Sequence, residues 1–133
     1  MEKLLLGIDI GTSACKAAVF NLDGSVVAQA SSPYKVYYPA AGHVEQNPLE
    51  WWEAVCLAIR EAFQKGQLDV NNIAGIGLDG QGWSAIPVDK AGNVLSNTPI
   101  WMDTRASDIC KKLTEKIGFE RIFKISGNAL EST

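Results

Sequence analysis

Cysteine and histidine are scarce in these 133 residues: three cysteines and a single histidine, His43. Cys15, Cys56 and Cys110 are far apart, odd in number and include no Cys-x-x-Cys pair. A disulfide framework and a zinc site are therefore both unexpected, and reduced thiols in a cytoplasmic protein are the simplest account. Long hydrophobic runs are missing as well. The apolar opening MEKLLLGIDIG is too short for a signal-peptide core or a membrane span, and Asp9 interrupts it. Excess positive charge is also absent: the net charge of -3 argues against broad electrostatic binding to nucleic acid. Six of the twelve basic residues do fall between Arg105 and Lys124, but Asp108, Glu115 and Glu120 are interleaved with them, which is the pattern of a solvated helix face. No G-x-x-x-x-G-K-[ST] segment occurs, so P-loop chemistry is excluded.

What is present suits one domain with a real core, since 47% of the residues are hydrophobic and 20% charged. Residues 4–10, 16–20 and 25–30 read as strands joined by turns, an antiparallel meander whose near-continuous apolar character predicts burial on both faces. A long connection containing Pro33, Pro39 and Gly42 leads to a helix. Asn47 is its expected cap, Pro48 its first residue and Glu50 the partner in a capping box. Leu49, Trp52, Cys56, Ile59 and Phe63 form the expected buried stripe, and Gly66 the expected stop. Strands are predicted at 73–78 and 83–88, a turn at 89–92, a helix from about Thr104 to Ile117 and a shorter one over 119–126. Strands, helix, strands, helix in this order predict an α/β domain with a mixed sheet led by a hairpin meander.

GIGLDG, residues 75–80, matches the G-x-G-x-x-G dinucleotide pattern, with Asp103 downstream as a possible ribose ligand. That fingerprint needs a helix opening at its last glycine. Here Gln-Gly-Trp-Ser-Ala-Ile-Pro-Val follows, without a helical stripe, so the match is set aside.

The first hairpin, LLLGIDIGTSACKAAVF, carries more chemistry than a hairpin needs. Backbone N–H groups in a glycine-containing turn can form an anion-binding concavity, and Gly11 offers a ligand close approach. Thr12 and Ser13 add hydroxyls and Lys16 a charge. Asp9 stands where a phosphate-bridging Mg²⁺ could be held. The competing reading is a tight turn with Asp9 satisfied by nearby N–H groups.

Downstream segments favour the cradle. GIDIGTSACKAAVFNLDGSVVA resembles the phosphate-binding opening of the FGGY carbohydrate kinases, members of the actin-like ATPase superfamily. GHVEQNPLEWWEA resembles that family's Gly-x-x-Glu-Gln-Asp-Pro-x-x-Trp-Trp segment, GLDGQGW its substrate-facing Gly-Gln loop, and PIWMDTRA its Trp-x-Asp-x-Arg segment. The resemblance implies an actin-like (ribonuclease H-like) fold and ATP-dependent phosphorylation, with Mg²⁺, of a sugar or polyol hydroxyl. It assigns Asp9 to the metal, Gly11, Thr12, Ser13 and Lys16 to the ATP phosphates, and Gln81, Gly82, Trp83 and Asp103 to the substrate. Each pocket residue has a plainer reading: Trp83 as a strand aromatic, Asp103 as a helix cap, Arg105 as its surface partner. Trp101, Trp51 and Trp52 read as packing residues, and Glu45 and Gln46 as supports of the long connection.

Family members are longer and have two actin-like domains. Residues 1–133 would then be the N-terminal portion of the first domain. The general base and the adenosine pocket would lie beyond them, and this stretch alone would be inactive. Apolar surface left by a missing domain predicts self-association, such as a homodimer. In xylulose kinases the loop typically reads Gly-Gln-Met-His-Gly; here it is Gly80-Gln81-Gly82-Trp83-Ser84. The expected order of acceptors is xylulose or another pentulose, then gluconate, then another polyol, with glycerol disfavoured. A non-catalytic actin-like nucleotide-binding module is the alternative.

Overall fold

In the computed structural model, which describes residues 3–132, the hairpins form where their turn residues place them. β1 (Leu4–Ile10), β2 (Ala14–Asn21) and β3 (Val26–Pro33) make the antiparallel meander. At the second turn Asp23 accepts from the N–H and hydroxyl of Ser25, and Gly24 takes the left-handed conformation that a side chain would resist. The connection after β3 carries β4 (Glu45–Gln46), and α1 (Pro48–Gly66) follows. β5 (Ile73–Gly80) then joins the sheet parallel to β1, giving the order β3-β2-β1-β5. β6 (Thr98–Pro99) pairs with β4 in a separate two-stranded ribbon. α2 (Ser107–Ile117) and α3 (Phe119–Ser126) close the described chain. No described helix is long and apolar enough to cross a membrane, and all three cysteines are free.

The crossover from β3 through α1 to β5 lays α1 on one face of the sheet. Leu4, Leu6, Ile8, Cys15, Ala17, Val19 and Ala30 meet Ala54, Val55, Ala58 and Ala62 there. Burial on both faces was the expectation, but β1 alternates strictly: Leu4, Leu6 and Ile8 are buried and Leu5 is exposed. The reason is that α1 is the only described helix packed on the sheet, while α2 and α3 pack on each other. The opposite face is an open groove lined by Gly7, Ala18, Phe20 and Gly77.

The buried face of α1 also differs from the expected stripe. Trp51, Ala54, Val55, Ala58 and Ala62 point inward, whereas Leu49 and Trp52 are 55% and 68% exposed. Ile59 and Phe63 flank the core, and Cys56 is half-buried. Alanines let the helix axis approach the sheet closely, a gain that a hydrophobicity pattern undercounts. Asn47 caps the helix as expected, accepting from the Leu49 N–H at 3.0 Å. Glu50 does not complete a capping box; it accepts from the Tyr37 hydroxyl and the Lys35 N–H, pinning the preceding connection to α1.

Gly66 is the last helical residue rather than the left-handed stop, a place taken by Gln67 at φ 50°. Its lack of a side chain has another cause: a Cβ would lie 2.8 Å from Leu68 Cγ and 2.9 Å from Ala28 Cβ on β3. Gly66→Ala is expected to destabilise the fold by about 1 kcal/mol, because overpacking of about 1–3 kcal/mol exceeds the helix-propensity gain of about 1 kcal/mol. Urea denaturation checks this, and a stabilised variant would show that the strand yields.

Two further expectations change. Residues 83–88 form no strand, since Trp83 at φ 62° has left-handed backbone that cannot start one. The predicted turn at 89–92 does form. Asp89 accepts from the N–H groups of Ala91 and Asn93, and Val88 and Val94 make a single bridge. Asp103 does not cap α2, whose N-cap position is Ala106 with no side-chain bond.

Candidate active site

The turn between β1 and β2 is held from behind by its carbonyls. The Gly11 carbonyl accepts from the Tyr34 hydroxyl, the Thr12 carbonyl from Gln46 Nε2 at 2.7 Å, and the Ser13 carbonyl from the Tyr34 N–H at 3.3 Å. All peptides here are trans, and in a trans peptide N–H points opposite to C=O. Pulling the Gly11 and Thr12 carbonyls inward therefore turns the Thr12 and Ser13 N–H groups outward. Among the described residues, these two N–H groups meet no acceptor. Tyr34 is well suited to its donor role. Burial, with Cys15 and Asp9 nearby, pushes its hydroxyl up to about 12, so it keeps its proton at any physiological pH.

Asp9 precedes this turn on the open face of the sheet. Lys16 Nζ lies 3.6 Å from its carboxylate, and both side chains are substantially exposed, at 43% and 69%. Parallel pairing sets Asp79 of β5 beside Asp9, and Asp79 accepts from the Gly80 N–H. Apart from the Lys16 ion pair, the Asp9 carboxylate has no described partner, so its oxygens are free for a hard cation or that cation's water shell. On this ground Asp9 fits Mg²⁺. No cluster of three or more acidic, histidine or cysteine side chains occurs among the described residues.

The same pairing brings a second segment to this edge. Ile10 lies beside Gly80, and the Gln81 N–H donates to the Ile10 carbonyl at 2.8 Å. The ends of β1 and β5 thus emerge side by side. Thr12, Gln81, Gly82, Trp83 and Trp101 line an open cleft of about 380 Å³. Trp83, 77% exposed and held at positive φ, is in a conformation that costs a large residue on the order of 1–2 kcal/mol. Trp101 closes another side, its indole N–H donating to Thr12 Oγ1 at 2.9 Å. The Thr12 hydroxyl accepts that bond and keeps its own proton to donate.

Asp103 is buried behind this wall rather than in it. Its carboxylate accepts from the Val44 N–H at 2.7 Å, the Arg105 N–H at 3.0 Å and the Arg105 guanidinium at 2.8–3.0 Å. Arg105 also reaches Glu45 Oε1 at 2.7 Å. Burial alone would raise the Asp103 carboxyl, but the Arg105 and Val44 bonds outweigh it and hold the group at about 2. Arg105 is correspondingly pushed up by its bonds to Asp103 and Glu45. The Asp103 N–H closes a turn onto the Ile100 carbonyl at 2.8 Å, so this cluster fixes the bend that carries Trp101.

The geometry therefore assembles Thr12, Gln81, Gly82 and Trp83 in one cleft. Gly11 and Ser13 complete the turn, Asp9 and Lys16 lie on the adjoining sheet face, and Asp103 stands apart. Tyr34, Gln46 and Trp101 were not read from the sequence as site residues. The available signal was indirect: Gln46 and Trp101 sit inside the two motif-like segments that read there as structural.

Comparison with known proteins settles what this arrangement belongs to. Residues 4–133 match the FGGY family of carbohydrate kinases, N-terminal domain. The chain belongs to that family. It is 37% identical over 125 residues to a glycerol kinase from Petrotoga mobilis, covering 93% of this chain and 25% of that protein. It is 36% identical over 116 residues to a xylulose kinase from Bacillus subtilis, covering 87% of this chain and 23% of the relative. The crystal structure of a gluconate kinase from Lactobacillus acidophilus superposes with a TM-score of 0.89 at 27% identity, over 98% of this chain and 26% of that one. This FGGY chain thus spans about a quarter of the length of the curated relatives it matches. The fold is the actin-like α/β arrangement expected. The disfavouring of glycerol finds no support in overall similarity, where glycerol and xylulose kinases stand level.

Proposed function

We propose that the polypeptide carrying this chain transfers the γ-phosphoryl group of ATP to a hydroxyl of a sugar or polyol. The observation that carries the reading is the first turn: its carbonyls are tied back, its free N–H groups face outward, and it abuts the cleft that Gln81, Trp83 and Trp101 line. Phosphoryl transfer asks a protein mainly for positioning and charge stabilisation, and preset N–H donors supply both without rearrangement. In this proposal the N–H groups of Thr12 and Ser13, the Thr12 hydroxyl and Lys16 receive phosphate oxygens, and Gly11 lets them come close. Asp9 would hold Mg²⁺, directly or through water, and the ion would supply positive charge to the phosphates. The acceptor lies between Trp83 and Trp101, with Gln81 and Gly82 at its polar side. Asp103 serves it at one remove, by holding the Trp101 bend.

None of the five cleft residues is a general base, so the group that takes the acceptor's proton lies outside this set. A pentulose such as xylulose is the favoured acceptor and gluconate the next. The test is a panel of ketoses, sugar acids and polyols offered with Mg-ATP, with the phosphorylated product identified by ³¹P NMR. One or more should yield a phosphate ester, and Thr12→Ala should lower kcat/KM for ATP by about tenfold, the worth of one hydroxyl in a surviving nest. Nucleotide binding with no ester formed from any acceptor would favour the non-catalytic module instead.

A further inference from the structure

Gln46 is fully buried, yet its side chain is polar and both ends of its amide are engaged. Nε2 donates to the Thr12 carbonyl in the phosphate turn at 2.7 Å. Oε1 accepts from the Trp51 indole N–H of α1 at 3.1 Å and from Gln81 Nε2 of the cleft loop at 2.8 Å. We infer that Gln46 is a positioning residue that sets the phosphate turn and the acceptor loop in one fixed relation, so that neither moves without the other. The inference rests on the functional reading above for what those two segments bind.

The orientation of this relay follows from chemistry alone. An indole N–H can only donate and a backbone carbonyl can only accept. Were the Gln46 amide reversed, its NH₂ would face the Trp51 N–H and its oxygen the Thr12 carbonyl, two repulsive contacts in place of two bonds. Trp51 therefore fixes Gln46. Gln46, offering only an oxygen to the loop, fixes Gln81 with its NH₂ inward. Gln81 Oε1 is then turned away from Gln46, and among the described residues this buried oxygen has no donor. A buried carbonyl in that state costs about 1–3 kcal/mol. A helix indole thus dictates, through two amides, which way the Gln81 amide of the cleft loop faces.

Gln46→Glu separates the two halves of the relay. A carboxylate still accepts from Trp51 and Gln81 but gives nothing to the Thr12 carbonyl; Gln46→Met removes both links at similar volume. The chain has four tryptophans, so the indole N–H region of a ¹H–¹⁵N spectrum contains few signals. In Gln46→Glu the Trp101 signal should shift although Gln46 makes no hydrogen bond to Trp101, because Thr12 bonds both. Trp51→Phe, which frees Gln46 to reverse, should move it in the same way and keeps the test open if the buried carboxylate prevents folding. In the active polypeptide, Gln46→Glu should raise the nucleotide KM by about tenfold with the acceptor KM nearly unchanged, and Gln46→Met should raise both. An unmoved Trp101 signal in folded variants overturns the inference. So does a parallel rise of both KM values in both variants that tracks a falling melting temperature. Absence of any phosphorylation by the unmutated polypeptide would overturn the kinase reading alone, because the indole result decides the coupling without turnover.

Discussion

Replacing Asp9 by asparagine will lower kcat by about 10²–10³-fold at saturating acceptor, or about 3–4 kcal/mol of transition-state stabilisation. A neutral amide holds Mg²⁺ and its water shell poorly, and the charge that spreads over a transferring phosphoryl group goes uncompensated. Acceptor affinity should stay nearly intact, since Asp9 lies on the open sheet face and does not line the cleft. Stability should hardly change either. The one partner Asp9 has among the described residues is Lys16 at 3.6 Å, and an ion pair this exposed contributes about 0–1 kcal/mol. Steady-state kinetics of the polypeptide that carries this chain, with both substrates varied and a melting curve alongside, separate the cases. Near-normal kcat at saturating Mg-ATP would reduce Asp9 to a turn residue and remove the metal from the proposal.

The largest loss of stability is expected from Asp103→Ala, about 3 kcal/mol. Asp103 is 3% exposed, and removal of its carboxylate leaves the buried Val44 N–H without an acceptor and strips Arg105 of its main partner. A dependence on pH comes with it. The carboxyl titrates near the ordinary aspartate value of about 3.9 when unfolded and at about 2 when folded. Between those values the unfolded chain binds more protons, so the contribution is complete above about pH 4 and is lost as pH falls toward 2. Denaturation of both proteins from pH 7 to pH 2 should show the gap between them narrowing over that range. In kinetics the variant should raise the acceptor KM more than the ATP KM, because Trp101 loses its fixed bend. A constant stability gap down to pH 2 would mean that the ion pair contributes nothing through its charge.

The hairpins, α1 and β5 were legible because each is announced by residues adjacent in sequence: Asp23-Gly24 at a turn, Asn47-Pro48 at a helix start, an apolar run ending at Gly80. Residues 83–88 were not, since no strand alternation survives a large aromatic held at φ 62°, although the turn at 89–92 just beyond them was. The rotation of α1 was missed for a different reason. Trp52 carries far more apolar area than Ala58, yet it is the alanine that is buried and the tryptophan that is exposed. As for the cleft, its motif-like segments pointed to Thr12, Gln81 and Trp83. The bonds that shape it link residues 23, 34 and 89 positions apart: Tyr34 to Gly11, Gln46 to Thr12, Trp101 to Thr12. Such pairings are decided by the crossover that swings α1 over the sheet, and no local pattern encodes them. Asp103 shows the limit from the other side, a polar residue in a suggestive motif that folding turns inward.

The irregular stretch after β5 leaves the sheet and rejoins the ribbon at two fixed posts. The Gln81 N–H holds the first to the Ile10 carbonyl, and the Thr98 hydroxyl holds the second by donating to the Ala85 carbonyl. The tip of that stretch satisfies itself, with Asp89 bonded to Ala91 and Asn93. It is therefore a cassette between its posts, and a graft that keeps Gln81 leaves the first turn's anchors at Tyr34 and Gln46 in place. Under the proposed function, rewriting residues 82–97 would recast one wall of the acceptor cleft while Trp101 and the first turn stay where they are.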